Sequence, residues 1–449
     1  MSRTIILIQS SGDQMLTYLF LCTFLFCWSV QFCAASDTLA TDASINSTSN
    51  ETLLSAGKIF ELGFFSPDSG HSTYVGIWYY TWKPKVIVWV ANRDKPLTGA
   101  AVGLFGMDEH CNLVLSDKSG NSYFSTGLQG CLNSSRSVKL LDSGNLVLTD
   151  DSSEKSQWES FDRPTDTFLP GMKMYKNLNL TSQTSDDDPR SGSYSLKQHE
   201  DDNRTFVIWK TNNMHWISGE ADEFNSYTEM PKGVEAMLAN FSKLIGGSPR
   251  SFVHSGNMTY ISYSNNFTSS VSEYKYTRIV MNSSGVLQFW NMNSLTWFAP
   301  DDVCSMYNHC GNFESCNSKT SPPCKCFRGF KPSSPDSSED NSAGCTRKSN
   351  VSKNDTFLSL TMMRVGKPDS LIESAKNETS CREECLQNLG CSAYSYVKPS
   401  INPQVRTDTC WIWKTDLSNL EEYVVGGHDL YVRIAASDIG IFLLKLLKT

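Results

Sequence analysis

The chain has 449 residues, enough for two to four domains, and 39 basic against 47 acidic side chains leave a net charge of -8. That balance gives no footprint for nucleic acid, so no such partner is expected. Aromatic residues at 11%, among many Gly, Ser, Thr and Asn, point to short strands and turns.

From Gln14 to Ser36 there is no charged side chain, and the largely apolar run Leu16 to Phe32 ends in Cys33-Ala-Ala-Ser36. Residues 1–36 read as a secretion signal cleaved near Ser36. The competing reading is a retained anchor, since the run is long enough to span a bilayer. Cleavage removes Cys22, Cys27 and Cys33 from a total of 15 and leaves an even number, as full pairing in an oxidising compartment requires. Asn-x-Ser/Thr sequons at Asn46, Asn50, Asn133, Asn179, Asn203, Asn240, Asn257, Asn266, Asn282, Asn350, Asn354 and Asn377 point to a glycosylated, extracellular chain.

Residues 37–165 form a first unit. Lys85-Val-Ile-Val-Trp-Val90 has the period of a strand covered on both faces, and Phe60–Pro67 and Tyr74–Tyr79 are short apolar runs punctuated by Gly and Pro. Cys111-Asn-Leu-Val-Leu-Ser-Asp117 and Gly144-Asn-Leu-Val-Leu-Thr-Asp150 are copies of one strand-and-turn element. With Trp89-Val-Ala-Asn-Arg-Asp94 and Trp158-Glu-Ser-Phe-Asp-Arg-Pro-Thr-Asp166, these segments resemble the bulb-type, mannose-binding lectin domain of plant G-type lectin S-receptor-like kinases and S-locus glycoproteins. The resemblance implies a β-prism of three small sheets about a pseudo-threefold axis.

It also implies where a sugar pocket would lie. The family writes it Gln-x-Asp-x-Asn-x-Val-x-Tyr, with polar side chains alternating on one strand face. Here the first copy offers Asp108, His110, Asn112, Val114 and Ser116, and the second Leu141, Ser143, Asn145, Val147 and Thr149. Asn and Val alone are kept in both, and the alternative to a mannose pocket is a structural role for Asn112 and Asn145 in turns. Cys111 and Cys131 are most simply each other's partner.

Residues 172–300 open on the charge runs Asp186–Ser193 and His199–Asp202, expected to be solvated turns. Strand-like pieces follow at Thr205–Trp209, Met258–Tyr263, Tyr276–Met281 and Gly285–Trp290. By position this resembles the S-locus glycoprotein domain, a second β-rich unit.

Between Cys304 and Cys345 lie six cysteines in a stretch too short to bury a sufficient core without covalent staples. Spacing alone leaves the pairing open, and a zinc site is the alternative use of the thiolates. The spacing, with Gly329-Phe-Lys-Pro332 following, resembles an epidermal-growth-factor-like module over 301–345. That resemblance implies Cys304 with Cys316, Cys310 with Cys324 and Cys326 with Cys345. Asp301 and Asp302 precede the first cysteine but are read as solvated, with no calcium or other metal expected.

In 346–433, Ser380 followed by Glu383 reads as a capping box that opens a helix carrying Cys381 and Cys385 on one face, with strands at Cys391–Tyr396 and Cys410–Trp413. The arrangement resembles an α+β PAN/apple domain closed by Asp429–Arg433, which implies Cys381 with Cys410 and Cys385 with Cys391. The family commonly has two further cysteines, one just after the growth-factor-like module and one where Leu389 stands, and both are missing here. The tail 434–449 is too short and too charged to span a membrane.

The expectation is therefore a mostly β, multidomain, non-catalytic recognition protein. There is no His-Glu-x-x-His helix, no Gly-x-Ser-x-Gly elbow and no kinase motif set in the chain, and no cofactor is expected. The resemblance implies a secreted or cell-surface protein of plant signalling, in pollen recognition or defence. Its partner would be a glycan, a secreted peptide, or S-domain receptor kinases with which it pairs as a homo- or heterodimer. The alternative is a fragment of an active membrane receptor serine/threonine kinase.

Overall fold

The computed structural model describes residues 36–67, 70, 72–99, 101–130, 136–150, 156–174, 177–200, 205–218, 230–238, 276–334, 343–397, 408–414, 416–424 and 427–438. The signal, Cys131, the strand expected at Met258–Tyr263 and the end of the tail lie outside them. The first unit is three antiparallel sheets, two of four strands and one of five. In one, Thr38–Leu39 pairs Arg136–Leu140, followed by Leu146–Asp150 and Ser156–Glu159. In the next, Ser44–Asn46 pairs Gly103–Met107, followed by Leu113–Asp117 and Ser122–Ser125. The third holds Leu53–Leu54, Phe60–Phe65, Ser72–Tyr79 and Ile87–Val90 in that order, with Leu97–Thr98 also paired to Ser72–Tyr79.

Alternation along each strand sends Leu113, Leu115, Leu146 and Leu148 fully into a common core with Phe60, Ile77, Phe105 and Val138. Each such side chain contributes roughly 2 kcal/mol, which is how strands of five residues persist. The last strand of each sheet supplies one aromatic ring. Trp89, Phe124 and Trp158 meet edge to face with centroids 6.0, 6.0 and 5.9 Å apart, a near-equilateral triangle on the pseudo-threefold axis.

The sequence repeat is a turn. The N–H of Asp108 donates to Asn112 O and that of Cys111 back to Asp108 O, at 2.9 and 3.0 Å. The same two bonds close Leu141–Asn145, Asp117–Asn121 and Asn282–Val286, the last of these in the second unit. The fourth residue of each turn has positive φ: Cys111 57°, Gly120 84°, Gly144 87° and Gly285 83°. Three of the four are glycine, as a left-handed position favours.

The second unit pairs Thr167–Phe168, Thr277–Met281, Leu287–Asn291 and Ser294–Ala299 in one sheet. Its other sheet holds Leu180–Ser185, Asp188–Gln198, Phe206–Lys210 and Asn213–Ile217, with a short helix at Lys232–Leu238. The charge run Asp186–Ser193 is a turn only at its start, because Asp188 already opens an eleven-residue strand. The two units share one core. Their joint is built by the motifs that mark the family: the buried Arg93 guanidinium donates to the carbonyls of Thr181, Ser182 and Pro189, while Asp94 accepts from the N–H and hydroxyl of Ser191. Trp89 Nε1 reaches Arg163 O at 2.9 Å.

The cysteine-rich module has two small hairpins, Glu314–Cys316 with Cys324–Cys326 and Phe330–Pro332 with Cys345–Arg347. It is held by disulfides Cys304–Cys316, Cys310–Cys324 and Cys326–Cys345. Phe313, Phe327 and Phe330 are buried in the same cluster as Met363, Leu417 and Leu430 of the last domain. Backbone bonds from Phe313 N to Leu417 O and from Cys316 N to Leu420 O, at 2.8 and 2.9 Å, join the two further. The last domain is a five-stranded sheet in the order Thr356–Met363, His428–Ile434, Ala393–Val397, Thr409–Trp413, Ser370–Leu371.

Against that sheet lies the helix Glu378–Gln387, tied by Cys381–Cys410 and Cys385–Cys391. It begins earlier than the sequence pattern places it. Asn377 is the N-cap, its side chain accepting from Ser380 N at 2.8 Å, and Ser380 is the third helical residue, answering with its hydroxyl. Leu389 is exposed.

Candidate functional site

The residues expected to line a sugar pocket are divided between a turn and the strand that follows it. Asp108 and His110 stand in the turn before the strand: Asp108 Oδ1 accepts from His110 N and Asn112 N at 2.9 and 2.7 Å, and the His110 ring is exposed. Val114 and Ser116 are half-buried on the outer strand face, Val147 is buried and Thr149 half-buried, and Leu141 and Ser143 are exposed in their turn.

Asn112 and Asn145 are both buried, and each builds the same knot. Asn112 Oδ1 accepts from Thr126 Oγ1 at 3.0 Å and Leu128 N at 2.7 Å, and its Nδ2 donates to Leu128 O. Asn145 Oδ1 accepts from Ser160 Oγ and Phe161 N, both at 3.2 Å, and its Nδ2 donates to Glu159 Oε2 at 2.8 Å. The two hydroxyls accept in turn from the N–H groups of Leu113 and Leu146. Each amide thus ties the start of one strand to the end of the next, a need visible in sequence only as a hydroxyl residue 14 or 15 positions further on. A residue that the sequence reading misses, the buried Arg136, joins the two copies by donating to Asp150 Oδ1, Cys111 O and Gln129 O.

Elsewhere the sulfurs are already committed. Cys310, Cys316 and Cys324, and Cys326 and Cys345 beside Glu314, are close enough to hold a metal, but every one is in a disulfide. Cys111 is also disulfide-bonded, to a partner outside the described residues, where Cys131 lies. Asp302 spends its carboxylate on the N–H groups of Cys304 and Ser305. Of the sequons, Asn50, Asn179, Asn350, Asn354 and Asn377 are exposed and Asn46 and Asn282 half-exposed. Asn133, Asn203, Asn240, Asn257 and Asn266 lie outside the described residues.

His215 is half-buried against Tyr194 with its Nε2 buried and unpartnered, and its backbone oxygen accepts from Tyr307 N, where the second unit meets the cysteine-rich module. Desolvation first, and Lys210 second, hold its pKa below the ordinary imidazole value. The unfolded chain therefore binds the proton more readily, so stability is full above about pH 6.5 and falls as pH drops below it. His215→Gln is expected to flatten that acid-side slope in melting temperature between about pH 7 and 5; an unchanged slope would place its origin elsewhere.

Among the described residues no helix is long and apolar enough to cross a membrane. Family descriptions match in chain order: D-mannose binding lectin over 86–186, S-locus glycoprotein domain over 223–334 and PAN-like domain over 345–420. A G-type lectin S-receptor-like serine/threonine-protein kinase of Arabidopsis thaliana is 40% identical over 414 residues, 88% of this chain and 46% of the relative. Receptor-like serine/threonine-protein kinase SD1-8 of the same plant is 34% identical over 90% of this chain and 48% of its own length. The chain thus spans about half the length of these curated relatives. An S-locus-specific glycoprotein of Brassica oleracea var. alboglabra is 31% identical over 438 residues, 90% of this chain and 93% of the relative. With a relative of that similarity covered nearly end to end, the chain belongs to the family of the S-locus glycoproteins and the ectodomains of G-type lectin S-receptor-like kinases.

Proposed function

We propose that this protein is a non-catalytic, secreted or cell-surface recognition module of plant signalling, in pollen recognition or defence. It engages its glycan, peptide or receptor partner through surfaces other than the two mannose-type motifs. The observation that carries this reading is the double knot at Asn112 and Asn145, whose amides are spent on the scaffold. The extracellular setting is supported by five disulfides between described cysteines and by seven surface sequons. Pairing with S-domain receptor kinases is part of the proposal.

A glycan array of the signal-cleaved protein tests it. No signal for mannosides is expected, and Asn112→Ala and Asn145→Ala should each lower stability by roughly 1–3 kcal/mol, because a buried knot is left half made. Mannoside binding that disappears in variants with unaltered melting would overturn the reading. A second reading, the extracellular part of an active membrane receptor serine/threonine kinase, is favoured by relatives about twice as long as this chain. Sequencing the 3′ end of the transcript separates the two, by whether a kinase-coding exon follows.

A further inference from the structure

At the seam between the first and second units a guanidinium is buried without a counter-charge among the described residues. Arg278, on the strand Thr277–Met281, is 6% exposed and makes one side-chain hydrogen bond among the described residues, from Nη1 to Met292 O at 2.6 Å. Its guanidinium lies 5.3 Å from the ring centroid of Trp82 and 5.0 Å from that of Trp290. A guanidinium has five N–H donors, and stripping water from it is costly unless an anion or several acceptors take the place of that water. Two indole faces compensate part of the cost by cation–π attraction but accept none of the remaining donors.

A second polar group beside it is also unsatisfied. The Tyr79 hydroxyl, at the end of the strand Ser72–Tyr79, is buried and has no hydrogen-bond partner. Burial is the main influence on both groups, raising the phenol and lowering the guanidinium, and each next feels the other's charge. No Asp or Glu among the described residues acts on either of them. Trp82 stacks on Tyr79 at 4.0 Å, its ring lies 6.4 Å from that of Tyr276, and Tyr276 and Met292 are exposed, so the cluster reaches the surface.

We propose that this seam is a binding site for a carboxylate carried on a ring. Arg278 and the Tyr79 hydroxyl donate to the carboxylate oxygens, while Tyr276 and Met292 offer apolar surface to the ring. One cation facing a neutral phenol matches a single negative charge, which favours a carboxylate over a phosphate dianion. A uronic acid and an aromatic acid both have this chemistry. The proposal rests on the reading of the chain as a recognition module, but the two fail separately: a glycan array positive only for neutral sugars keeps that reading and removes this site.

The test is a tryptophan-fluorescence titration of the whole signal-cleaved protein with galacturonate, benzoate, galactose and inorganic phosphate. Galacturonate or benzoate should bind at least about tenfold more tightly than galactose or phosphate, and which of the two binds identifies the source of the carboxylate. Arg278→Met should weaken that binding by about tenfold or more while leaving the melting temperature unchanged or higher, since it removes an unpaired buried charge. Tyr79→Phe, which keeps the ring and its packing, should weaken it a few-fold and carries the test if the arginine variant does not fold. Wild-type affinity in Tyr79→Phe, or no preference for carboxylates over galactose and phosphate, would overturn the proposal.

Discussion

Arg433→Leu is expected to unfold the last domain under conditions in which the wild type is stable. The side chain is fully buried on the strand His428–Ile434. Its Nε donates to Asp355 Oδ2 at 3.0 Å, its Nη1 to Cys385 O and Asn388 O at 3.1 and 2.7 Å, and its Nη2 to Ser352 O and Leu386 O at 2.9 and 3.0 Å. The carbonyls of Cys385 and Leu386 belong to the last turn of the helix Glu378–Gln387, which has no intrahelical donors for them. One guanidinium therefore caps the helix, pins the loop after it and neutralises a buried carboxylate. Removing it leaves Asp355 without its cation and several carbonyls without donors, at about 3–5 kcal/mol, a large share of a domain's whole stability. Arg433→Lys should recover little, because three donors on one nitrogen cannot span acceptors arranged around a planar fork. Thermal melting with limited proteolysis of the C-terminal region checks this; a lysine variant that melts like the wild type would show that charge alone suffices.

The second large effect is at the repeated turn. Gly144 has φ 87°, and a Cβ placed on it would lie 2.8 Å from Leu169 Cδ1 and 3.1 Å from Phe60 Cζ. Gly144→Ala therefore combines left-handed strain of about 1 kcal/mol with overpacking of about 1–3 kcal/mol. Gly120→Ala provides the internal control: its φ is 84°, but nothing lies within 4 Å of the added methyl. The expected result is a loss of about 2–4 kcal/mol at Gly144 and about 1 kcal/mol at Gly120, read by chemical denaturation. Equal losses would mean that backbone strain alone sets the requirement for glycine.

The same turn shows how far the sequence could be read. Two copies are legible because Asn-Leu-Val-Leu follows each. The copies at Asp117–Asn121 and Asn282–Val286 share the hydrogen bonds, the positive φ and, with Asp108, an Asp or Asn that caps the turn, but not the Asn-Leu-Val-Leu that follows, so pattern matching passes over them. The count of every second residue does place Asp108 and His110 near Asn112, but through a turn rather than along a strand, since the strand period is interrupted at Cys111. Ser380 was legible as a capping residue but not its position, since Asn377 three residues earlier satisfies the same chemistry. Arg433 could be read as part of a strand, whereas its six acceptors, Cys391 O included, come from segments up to 81 residues away and leave no local trace. For the same reason the neighbourhood of Arg278 and Tyr79, residues 199 positions apart, emerges only when the two units are brought together.

The common core of the cysteine-rich module and the PAN-like domain has a practical consequence for anyone grafting pieces between members of this family. A chimera cut at Cys345 would strip Phe313, Phe327 and Phe330 of Met363, Leu417 and Leu430 and break the backbone bonds to Leu417 and Leu420. The three disulfides would still close, yet the excised module would carry an exposed apolar face with the aggregation hazard such faces bring. The exchangeable part is the whole stretch from Asp301 onward, and differences in specificity traced to one of its halves should be assigned to the pair.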